Sequence, residues 1–132
     1  MKDAKISIIT VCYNADKTLE RTINSVISQT YKNIEYVVID GESTDDTLDI
    51  LERYKYDVPI VLSEKDKGIY DAMNKGIELS GGSYVLFLNA DDYLFCPNVI
   101  ENMMIEIAKQ KDIDIFYGNV LMFDDKTSYA KI

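Results

Sequence analysis

The chain has 132 residues, with 14 Lys and Arg against 23 Asp and Glu and no His, so its formal net charge is −9. The length is typical of one domain, and an apolar content of 47% is that of a folded globular protein. The negative charge argues against binding to a nucleic-acid backbone, and the lack of His excludes imidazole catalysis and His-ligated zinc within these residues. Cys12 and Cys96 are far apart in apolar segments, which predicts two buried, inert thiols and neither a disulfide nor a CxxC metal site. Any metal would be a hard cation held by carboxylates.

Segments typical of strands and helices alternate along the chain. Strands are predicted where β-branched and aromatic residues form short apolar runs, at 6–11, 34–39, 59–62, 84–88 and 113–117. Helices are predicted where apolar residues recur at helical spacing, in stretches that begin near Leu19, Ser43, Ile69 and Pro97. This alternation predicts a mostly parallel sheet with right-handed crossovers, in a three-layer α/β/α architecture.

The whole of 1–132 is expected to form a single domain, because no repeat, linker or low-complexity stretch interrupts the pattern. No apolar stretch approaches the roughly 18 residues that a membrane span needs. The apolar run at 6–11 is too short for a signal peptide and has no small-residue cleavage site after it. A cytoplasmic location is therefore expected.

Polar side chains follow the predicted strands, at the edge where open α/β sheets bind their ligands. The strongest signal is Asn89-Ala90-Asp91-Asp92, where two carboxylates come soon after an apolar strand. A divalent cation that bridges carboxylate and phosphate oxygens would be one use of Asp91 and Asp92. An acid pair at the start of the next helix, or a solvated turn, is the other interpretation.

Other positions at this edge also allow two interpretations. Asp40 could accept hydrogen bonds from a base or a ribose hydroxyl, or it could cap the turn into the second helix. Tyr13 could stack on a base or be a half-buried ring. Lys65 and Lys67 could meet phosphates or belong to a solvated loop. The sequence contains no glycine-rich phosphate loop.

Three motifs at these strand ends are similar to those of a known family. They are Val-Cys-Tyr-Asn at 11–14, Val-Ile-Asp-Gly-Glu-Ser-Thr-Asp-Asp-Thr at 38–47 and Leu-Asn-Ala-Asp-Asp at 88–92. Together they resemble the family 2 glycosyltransferases. The resemblance implies the GT-A fold, a Rossmann-like domain that binds nucleotide-diphospho-sugars.

A fourth motif narrows the resemblance. The stretch 63–76, Ser-Glu-Lys-Asp-Lys-Gly-Ile-Tyr-Asp-Ala-Met-Asn-Lys-Gly, is similar to the subgroup that builds bacterial polysaccharides. The similarity runs from Ile6 to about Asn119. Each motif is degenerate alone, but four of them in this order and spacing are specific.

The resemblance implies roles for individual residues of a donor site. Val11 would hold the base by backbone contact, and Tyr13 would hold it by stacking. Asp40 would hydrogen-bond the base or the ribose. Asp66 and Asn74 would line the donor pocket.

The resemblance also implies a metal site. Asn89-Ala90-Asp91 stands in the place of the family's DXD motif, and Asp91 and Asp92 would contact the ribose and a Mg²⁺ or Mn²⁺ ion that bridges the diphosphate. The chain departs from the family at two positions. Gly41 stands where many members have a second acid, so base recognition is expected to rest on Asp40 alone. Asn89 replaces the first acid of DXD, which lowers the expected metal affinity because an amide has no charge.

The activity implied is an inverting transfer of sugar from a nucleotide-diphosphate donor, with a UDP-sugar as the first expectation. The acceptor would be a hydroxyl of a saccharide or of a lipid-linked intermediate in cell-surface polysaccharide synthesis. In this family the catalytic base lies well downstream of DXD, so we expect it beyond Ile132 and expect the chain to be truncated at its C-terminus. Asp124 and Asp125 are predicted to form a turn. The full-length protein is expected at the inner face of the membrane.

The sequence leaves one other class of function open and argues against another. A non-catalytic fragment that binds nucleotide-sugars, without the base and the acceptor site, is the alternative. A phosphoacceptor signalling domain would need an acid pair after the first strand, where this chain has Val11-Cys12-Tyr13-Asn14.

Overall fold

A computed structural model describes residues 3–123 and 130–131. The strands are β1 (Ile6–Cys12), β2 (Ile34–Asp40), β3 (Ile60–Ser63), β4 (Tyr84–Phe87), β5 (Met122–Phe123) and β6 (Ala130–Lys131). The helices are α1 (Leu19–Ile27), α2 (Thr47–Arg53), α3 (Ile69–Leu79) and α4 (Val99–Ala108). The first four strands form a parallel sheet in the order β3-β2-β1-β4, and β5 pairs with β6 in an antiparallel ladder.

The central strand β1 explains the layering. All seven of its residues are buried, and its side chains alternate between two cores. Ile6 and Ile8 pack with α1, α2 and α4 on one face, whereas Ile9 and Val11 pack with α3 on the other. A strand buried on both faces is typical of a parallel sheet covered by helices. The predicted three-layer α/β fold is therefore confirmed.

The approach of α3 to the sheet is close because Gly76 has no side chain. A β-carbon at this position would overlap with Ile9 of β1. The missing side chain lets α3 pack closely against β1 and β2.

One predicted strand is absent. Residues 113–117 have no regular structure, and their alternating apolar side chains Ile113, Ile115 and Tyr117 are exposed. A strand needs a partner for its backbone hydrogen bonds, and the described residues provide none for this segment. Only Phe116 packs against the core, where its ring meets that of Tyr84 edge to face.

The helix starts also differ from expectation. α2 begins at Thr47 and α4 begins at Val99, so Ser43 and Pro97 lie in the preceding turns. Asp124 and Asp125, predicted as a turn, lie outside the described residues. Among the helices of the described segments, none combines the length and the apolarity that crossing a bilayer requires.

Candidate functional site

The carboxyl ends of the four parallel strands bring four loops to one edge of the sheet. Tyr13 follows β1, Gly41 follows β2, Asp66 follows β3, and the Asn89–Asp92 turn follows β4. This edge is where ligands bind in open α/β folds. The structure therefore brings most of the predicted site residues to one side of the molecule.

Asp40 is turned into the protein and is fully buried. Its Oδ2 accepts hydrogen bonds from the Ser43 amide at 3.0 Å and from the Ser63 hydroxyl at 2.7 Å. Its Oδ1 accepts from the Ser43 hydroxyl and from the Cys12 thiol. These donors fill the acceptor positions of the carboxyl group. Asp40 thus caps the turn into α2, as the second interpretation of this residue has it, and its contact with a base or ribose stays a prediction.

The loops after β1 and β2 are joined by further hydrogen bonds. The Asn14 amide donates to the Ser43 hydroxyl at 2.8 Å, and the Asn14 side-chain oxygen accepts from the Thr44 amide at 2.8 Å. The Ala15 amide donates to the Thr47 hydroxyl at 2.8 Å. Asn14 adopts a positive φ of 47°, a conformation that asparagine tolerates better than most residues. This half of the edge is closed by the protein's own polar groups.

Tyr13 and Asp66 meet at Gly41. The Tyr13 ring is 64% exposed, so the half-buried alternative is wrong and its face is available for stacking. A β-carbon placed on Gly41 would lie 2.7 Å from Asp66 Oδ2 and 3.5 Å from Tyr13 Cδ2. The carboxylate of Asp66 therefore occupies the space that a side chain at Gly41 would fill.

Lys75 holds the loop that contains Asp66. Its ammonium group lies 3.0 Å from Glu64 Oε1 and 3.6 Å from Asp71 Oδ2, and it donates to the Lys65 carbonyl at 3.1 Å. The hydrogen bond with Glu64 is the main reason that the pKa of Lys75 is raised. Asp66 Oδ1 also accepts from the Gly68 amide at 2.9 Å. The loop after β3 is thus held by Lys75 and by the Gly68 amide, while the Asp66 Oδ2 atom faces Gly41.

The turn after β4 presents its acids to solvent. The Asp92 amide donates to the Asn89 carbonyl at 3.0 Å, which closes the turn, and both Asp91 and Asp92 are exposed. The Oδ1 atom of Asn89 is buried, and it has no hydrogen-bond partner in the described part of the chain. Partial burial, and then the neighbouring charge of Asp91, raise the pKa of Asp92. Such a turn has oxygen atoms available for a cation.

No group of three or more His, Cys, Asp or Glu that could hold a metal is found within residues 3–123 and 130–131. The oxygen donors near this turn are instead two carboxylates and one amide. An ion such as Mg²⁺ commonly takes one or two carboxylates from the protein and completes its shell with water and phosphate oxygens. The donor set therefore fits a metal that arrives with a diphosphate.

A row of polar side chains on and just after α1 positions this turn, and the sequence did not reveal it. The Thr22 hydroxyl lies 2.9 Å from the Ala90 carbonyl oxygen and 2.6 Å from the Asp92 carbonyl oxygen, and it shares its single proton between these two acceptors. Gln29 is 2% exposed; it donates to the Cys96 carbonyl and accepts from the Ile100 amide. The signal available in the sequence was that Thr22 and Gln29 are polar residues at positions where helical spacing predicts core residues. They bind the backbone of the turn and leave its carboxylates free.

Two of the predicted site residues, Val11 and Asn74, have side chains that are not connected to the other site residues by hydrogen bonds in the described part of the chain. The Val11 side chain is 7% exposed within the core, so only its backbone could contact a ligand. Asn74 is exposed on α3, and its side chain makes no hydrogen bond to Tyr13, Asp66 or the β4–α4 turn within the described residues.

The two thiols differ. Both cysteines are free. Burial strongly raises the pKa of Cys12, as expected of an inert thiol, and Asp40 adds to this effect. Cys96 is partly exposed, so the prediction that both thiols are buried is wrong for this residue.

The chain is similar to known proteins in sequence. Residues 7–131 match the family model described as Glycosyl transferase family 2. The chain is 36% identical over 119 residues to a PGL/p-HBAD biosynthesis glycosyltransferase of Mycobacterium bovis, covering 88% of this chain and 46% of that protein. It is 42% identical over 122 residues to the Escherichia coli UDP-Glc:alpha-D-GlcNAc-diphosphoundecaprenol beta-1,3-glucosyltransferase WfaP, covering 91% of this chain and 47% of WfaP.

Solved structures share the fold. Residues 1–349 of Staphylococcus aureus TarS in complex with UDP-GlcNAc superpose with a TM-score of 0.72 at 29% identity, covering 80% of this chain and 31% of that 1–349 fragment. The mannosyltransferase PcManGT of Pyrobaculum calidifontis, in complex with GDP-Man and Mn²⁺, gives a TM-score of 0.71 at 23% identity, covering 77% of this chain and 32% of PcManGT. The latter likeness shows the fold alone. The chain spans about half the length of the curated relatives that it matches.

Proposed function

Since the chain belongs to glycosyl transferase family 2, we propose that residues 1–132 form the nucleotide-sugar-binding domain of an enzyme that transfers a sugar from a nucleotide-diphosphate donor to an acceptor hydroxyl. The reaction would invert the anomeric carbon in a single displacement. The catalytic base and the acceptor site are proposed to lie outside these residues, in a region that the longer relatives contain.

The observation that carries the proposal is the state of the β4–α4 turn. Asp91 and Asp92 are exposed, and the buried Oδ1 atom of Asn89 has no partner among the described residues. A buried acceptor without a donor is unfavourable, and two adjacent carboxylates repel each other. A divalent cation would relieve both effects. Asp91 and Asp92 would hold Mg²⁺ or Mn²⁺, and Asn89 would support them.

The chain's own residues would orient the donor around this ion. The exposed ring of Tyr13 offers a face for the base, and the Val11 backbone lies at the end of the same strand. Thr22 keeps the peptide groups of the turn in place, so that the carboxylates need no rearrangement when the diphosphate arrives. When bound, the cation would neutralise the charge that develops on the leaving nucleoside diphosphate.

The donor proposed is a UDP-sugar. The name of WfaP specifies UDP-Glc as its donor and a diphosphoundecaprenol-linked sugar as its acceptor, and the TarS structure contains UDP-GlcNAc. A saccharide or lipid-linked acceptor, a role in cell-surface polysaccharide synthesis and a cytoplasmic location at the inner face of the membrane are proposed on the same basis.

Calorimetric titration of the chain with UDP, with and without Mn²⁺, tests the proposal. We expect UDP to bind and Mn²⁺ to strengthen the binding. In the double variant Asp91→Asn/Asp92→Asn, the affinity in Mn²⁺ should fall at least about tenfold, because the ion loses its charged ligands. Asp112→Asn/Asp114→Asn is the matched control, since it removes the same charge from exposed acids elsewhere. Absence of UDP binding to the parent, or unchanged metal dependence in the first variant, would contradict the proposal.

A second candidate is a module that binds the donor without turnover. Its support is that the candidate site residues in the described part of the chain are all assigned to the donor and its ion, and none to the acceptor. Release of UDP from UDP-glucose or UDP-GlcNAc in the presence of Mn²⁺ discriminates between the two. Binding with neither hydrolysis nor transfer would support the module.

A further inference from the structure

One side of α1 holds the backbone of the β4–α4 turn and of the residues that follow it. The Thr22 hydroxyl contacts the carbonyl oxygens of Ala90 and Asp92. The Ser25 hydroxyl oxygen accepts a hydrogen bond from the Leu94 amide at 3.1 Å. Both of these α1 side chains are at least partly buried. The carbonyl between the two that Thr22 contacts is bound by a different residue, from the exposed side of the helix.

That residue is Arg21. Its Nη2 atom donates to the Asp91 carbonyl oxygen at 3.4 Å, and its Cζ atom lies 4.5 Å from the centre of the Tyr93 ring. A planar guanidinium group can stack on an aromatic ring and donate through its edge at the same time, whereas an ammonium group has no such plane. Arg21 thus contacts the residue before Asp92 and the residue after it.

These two contacts contribute little to stability. Arg21 is exposed, and Tyr93 is 36% exposed. A surface contact of this kind adds little to the free energy of unfolding, because water competes for both partners. The consequence of the contacts is local instead. The three successive carbonyls of residues 90–92 are all contacted from α1, so the backbone that carries Asp91 and Asp92 is restricted.

We propose that Arg21, stacked on Tyr93, is a positioning residue that holds the Asp91 peptide group and so places the carboxylates of the turn for the cation. This inference rests on the proposed function and adds a residue on α1 that acts through the turn. A restricted turn binds the ion more tightly, because its carboxylates lose less conformational freedom on binding. The positive charge of Arg21 acts in the opposite direction, since like charges repel. Removal of Arg21 therefore weakens metal-dependent binding if the residue positions the turn, and strengthens it if only the charge matters.

The first experiment measures the dissociation constants of UDP with and without Mn²⁺, whose ratio is the gain from the metal. In Arg21→Met, which keeps an unbranched side chain but no donor, the gain should fall about three- to fivefold, the range of a cation–π contact at an exposed site. Arg21→Lys restores the charge without the planar donor, so it should recover only part of the loss. UDP affinity without Mn²⁺ should equal that of the parent.

Lys17→Met is the matched control for charge. It removes the same charge just before α1, from a side chain that is 91% exposed and lies 4.0 Å from Asp16. We expect this variant to keep the full gain from Mn²⁺. A loss in Lys17→Met equal to that in Arg21→Met would mean that the charge of the region matters and the contacts of Arg21 do not, which would contradict the inference.

Tyr93→Leu tests whether the ring is part of the arrangement. The gain from Mn²⁺ should fall about threefold, and Tyr93→Phe, which keeps the ring, should retain it. The double variant Arg21→Met/Tyr93→Leu should lose little more than Arg21→Met alone, because the second change removes a contact that the first has already broken. Losses that multiply in the double variant would show that the two side chains act independently, and would contradict the proposed pair.

Amide hydrogen exchange of the metal-free chain gives a readout that does not depend on the ion. The Asp92 amide is bonded to the Asn89 carbonyl, and it should exchange several-fold faster in Arg21→Met because the turn opens more often. The Ile100 amide, which is bonded to Gln29 Oε1, should be unchanged and is the internal reference. The urea midpoint of Arg21→Met should be close to that of the parent, which separates positioning from a loss of fold.

The failures of the two proposals are distinguishable. If UDP binding to the parent shows no gain from Mn²⁺, the proposed function is contradicted, and the role of Arg21 with it. If the parent shows the gain and Arg21→Met keeps or increases it, only the role of Arg21 is wrong. Unchanged exchange of the Asp92 amide in Arg21→Met would also overturn that role.

Discussion

Two loops at the same edge of the sheet begin alike and end with opposite roles. In both the β2–α2 loop and the β4–α4 turn, aspartate comes at or soon after an apolar strand. Asp40 is fully buried and bonded to two serines, whereas Asp91 and Asp92 are exposed. An acid at a strand end thus becomes structural or solvent-exposed according to whether the protein supplies donors to its oxygens.

The donors come from the neighbouring elements. Ser43 follows Asp40 by one turn, and Ser63 is its register partner on β3. The β4–α4 turn lies at the other end of the described sheet, where α1 provides Thr22. Thr22 binds carbonyl oxygens of the turn, so it orders the backbone without neutralising the acids. The β2–α2 loop is held through the carboxyl group of Asp40, whereas the β4–α4 turn is held through its backbone carbonyls and its carboxyl groups take no part.

Removal of Asp40 should have the largest effect on this comparison. Asp40→Ala leaves the amide and the hydroxyl of the buried Ser43 without their acceptor and also removes the acceptor of the Ser63 hydroxyl, so we expect the free energy of unfolding to fall by about 3 kcal/mol. Urea denaturation followed by circular dichroism measures it.

Asp91→Ala is the matched change in the exposed β4–α4 turn. Because that side chain is exposed, the free energy of unfolding should change by less than about 0.5 kcal/mol. A loss below about 1 kcal/mol in Asp40→Ala would mean that the buried carboxyl group is not what holds the β2–α2 loop.

Replacement of Thr22 should have an intermediate effect and should connect stability to binding. Thr22→Val keeps the shape but removes the hydroxyl, so two backbone carbonyls lose their donor and the free energy of unfolding should fall by about 1.5 kcal/mol. The metal-dependent part of UDP affinity should weaken several-fold, because the turn that presents Asp91 and Asp92 loosens. UDP binding without metal should not change.

Thr22→Ser restores the hydroxyl and should recover the affinity in Mn²⁺. Calorimetric titrations of both variants, each with and without the ion, make the measurement. A destabilised Thr22→Val chain that keeps the full gain from Mn²⁺ would show that Thr22 has no positioning role.

The predictable part of the fold was its local part. The β1–β4 strands and the four helices follow from apolar periodicity, which depends on neighbouring residues in the sequence. The strand predicted at 113–117 did not form, because a strand also needs a partner strand. The alternation of Ile and Asp in this segment does not indicate whether such a partner exists. The motifs predicted polar loops that the structure brings to one edge of the sheet, and the ring of Tyr13 in one of these loops is exposed.

The site details that the sequence left open or did not show depend on contacts between distant residues. The inward turn of Asp40 requires Ser63, which lies 23 residues further along the chain. The hydrogen bond between Thr22 and the Ala90 carbonyl spans 68 residues. Gly41 looked like the loss of a second acid, but in three dimensions it makes room for Asp66. Sequence motifs identified the loops, and the fold decided which oxygen atoms stayed free.

The smallest expected effect comes from Asp92→Asn, and it tests the exposed β4–α4 turn specifically. Burial and the charge of Asp91 raise the pKa of Asp92 in the folded chain, so the folded state binds more protons than the unfolded state between the ordinary and the raised value. Stability therefore declines as the pH rises through that window, and Asp92→Asn should remove the decline. At neutral pH we expect this variant to be as stable as the parent or more stable, by less than about 0.5 kcal/mol, with no difference below the window. Unfolding curves at pH 3 and pH 7 measure it, with Asp112→Asn as the control. A variant less stable than the parent at pH 7 would show that Asp92 supports the fold, and the contrast with Asp40 would then fail.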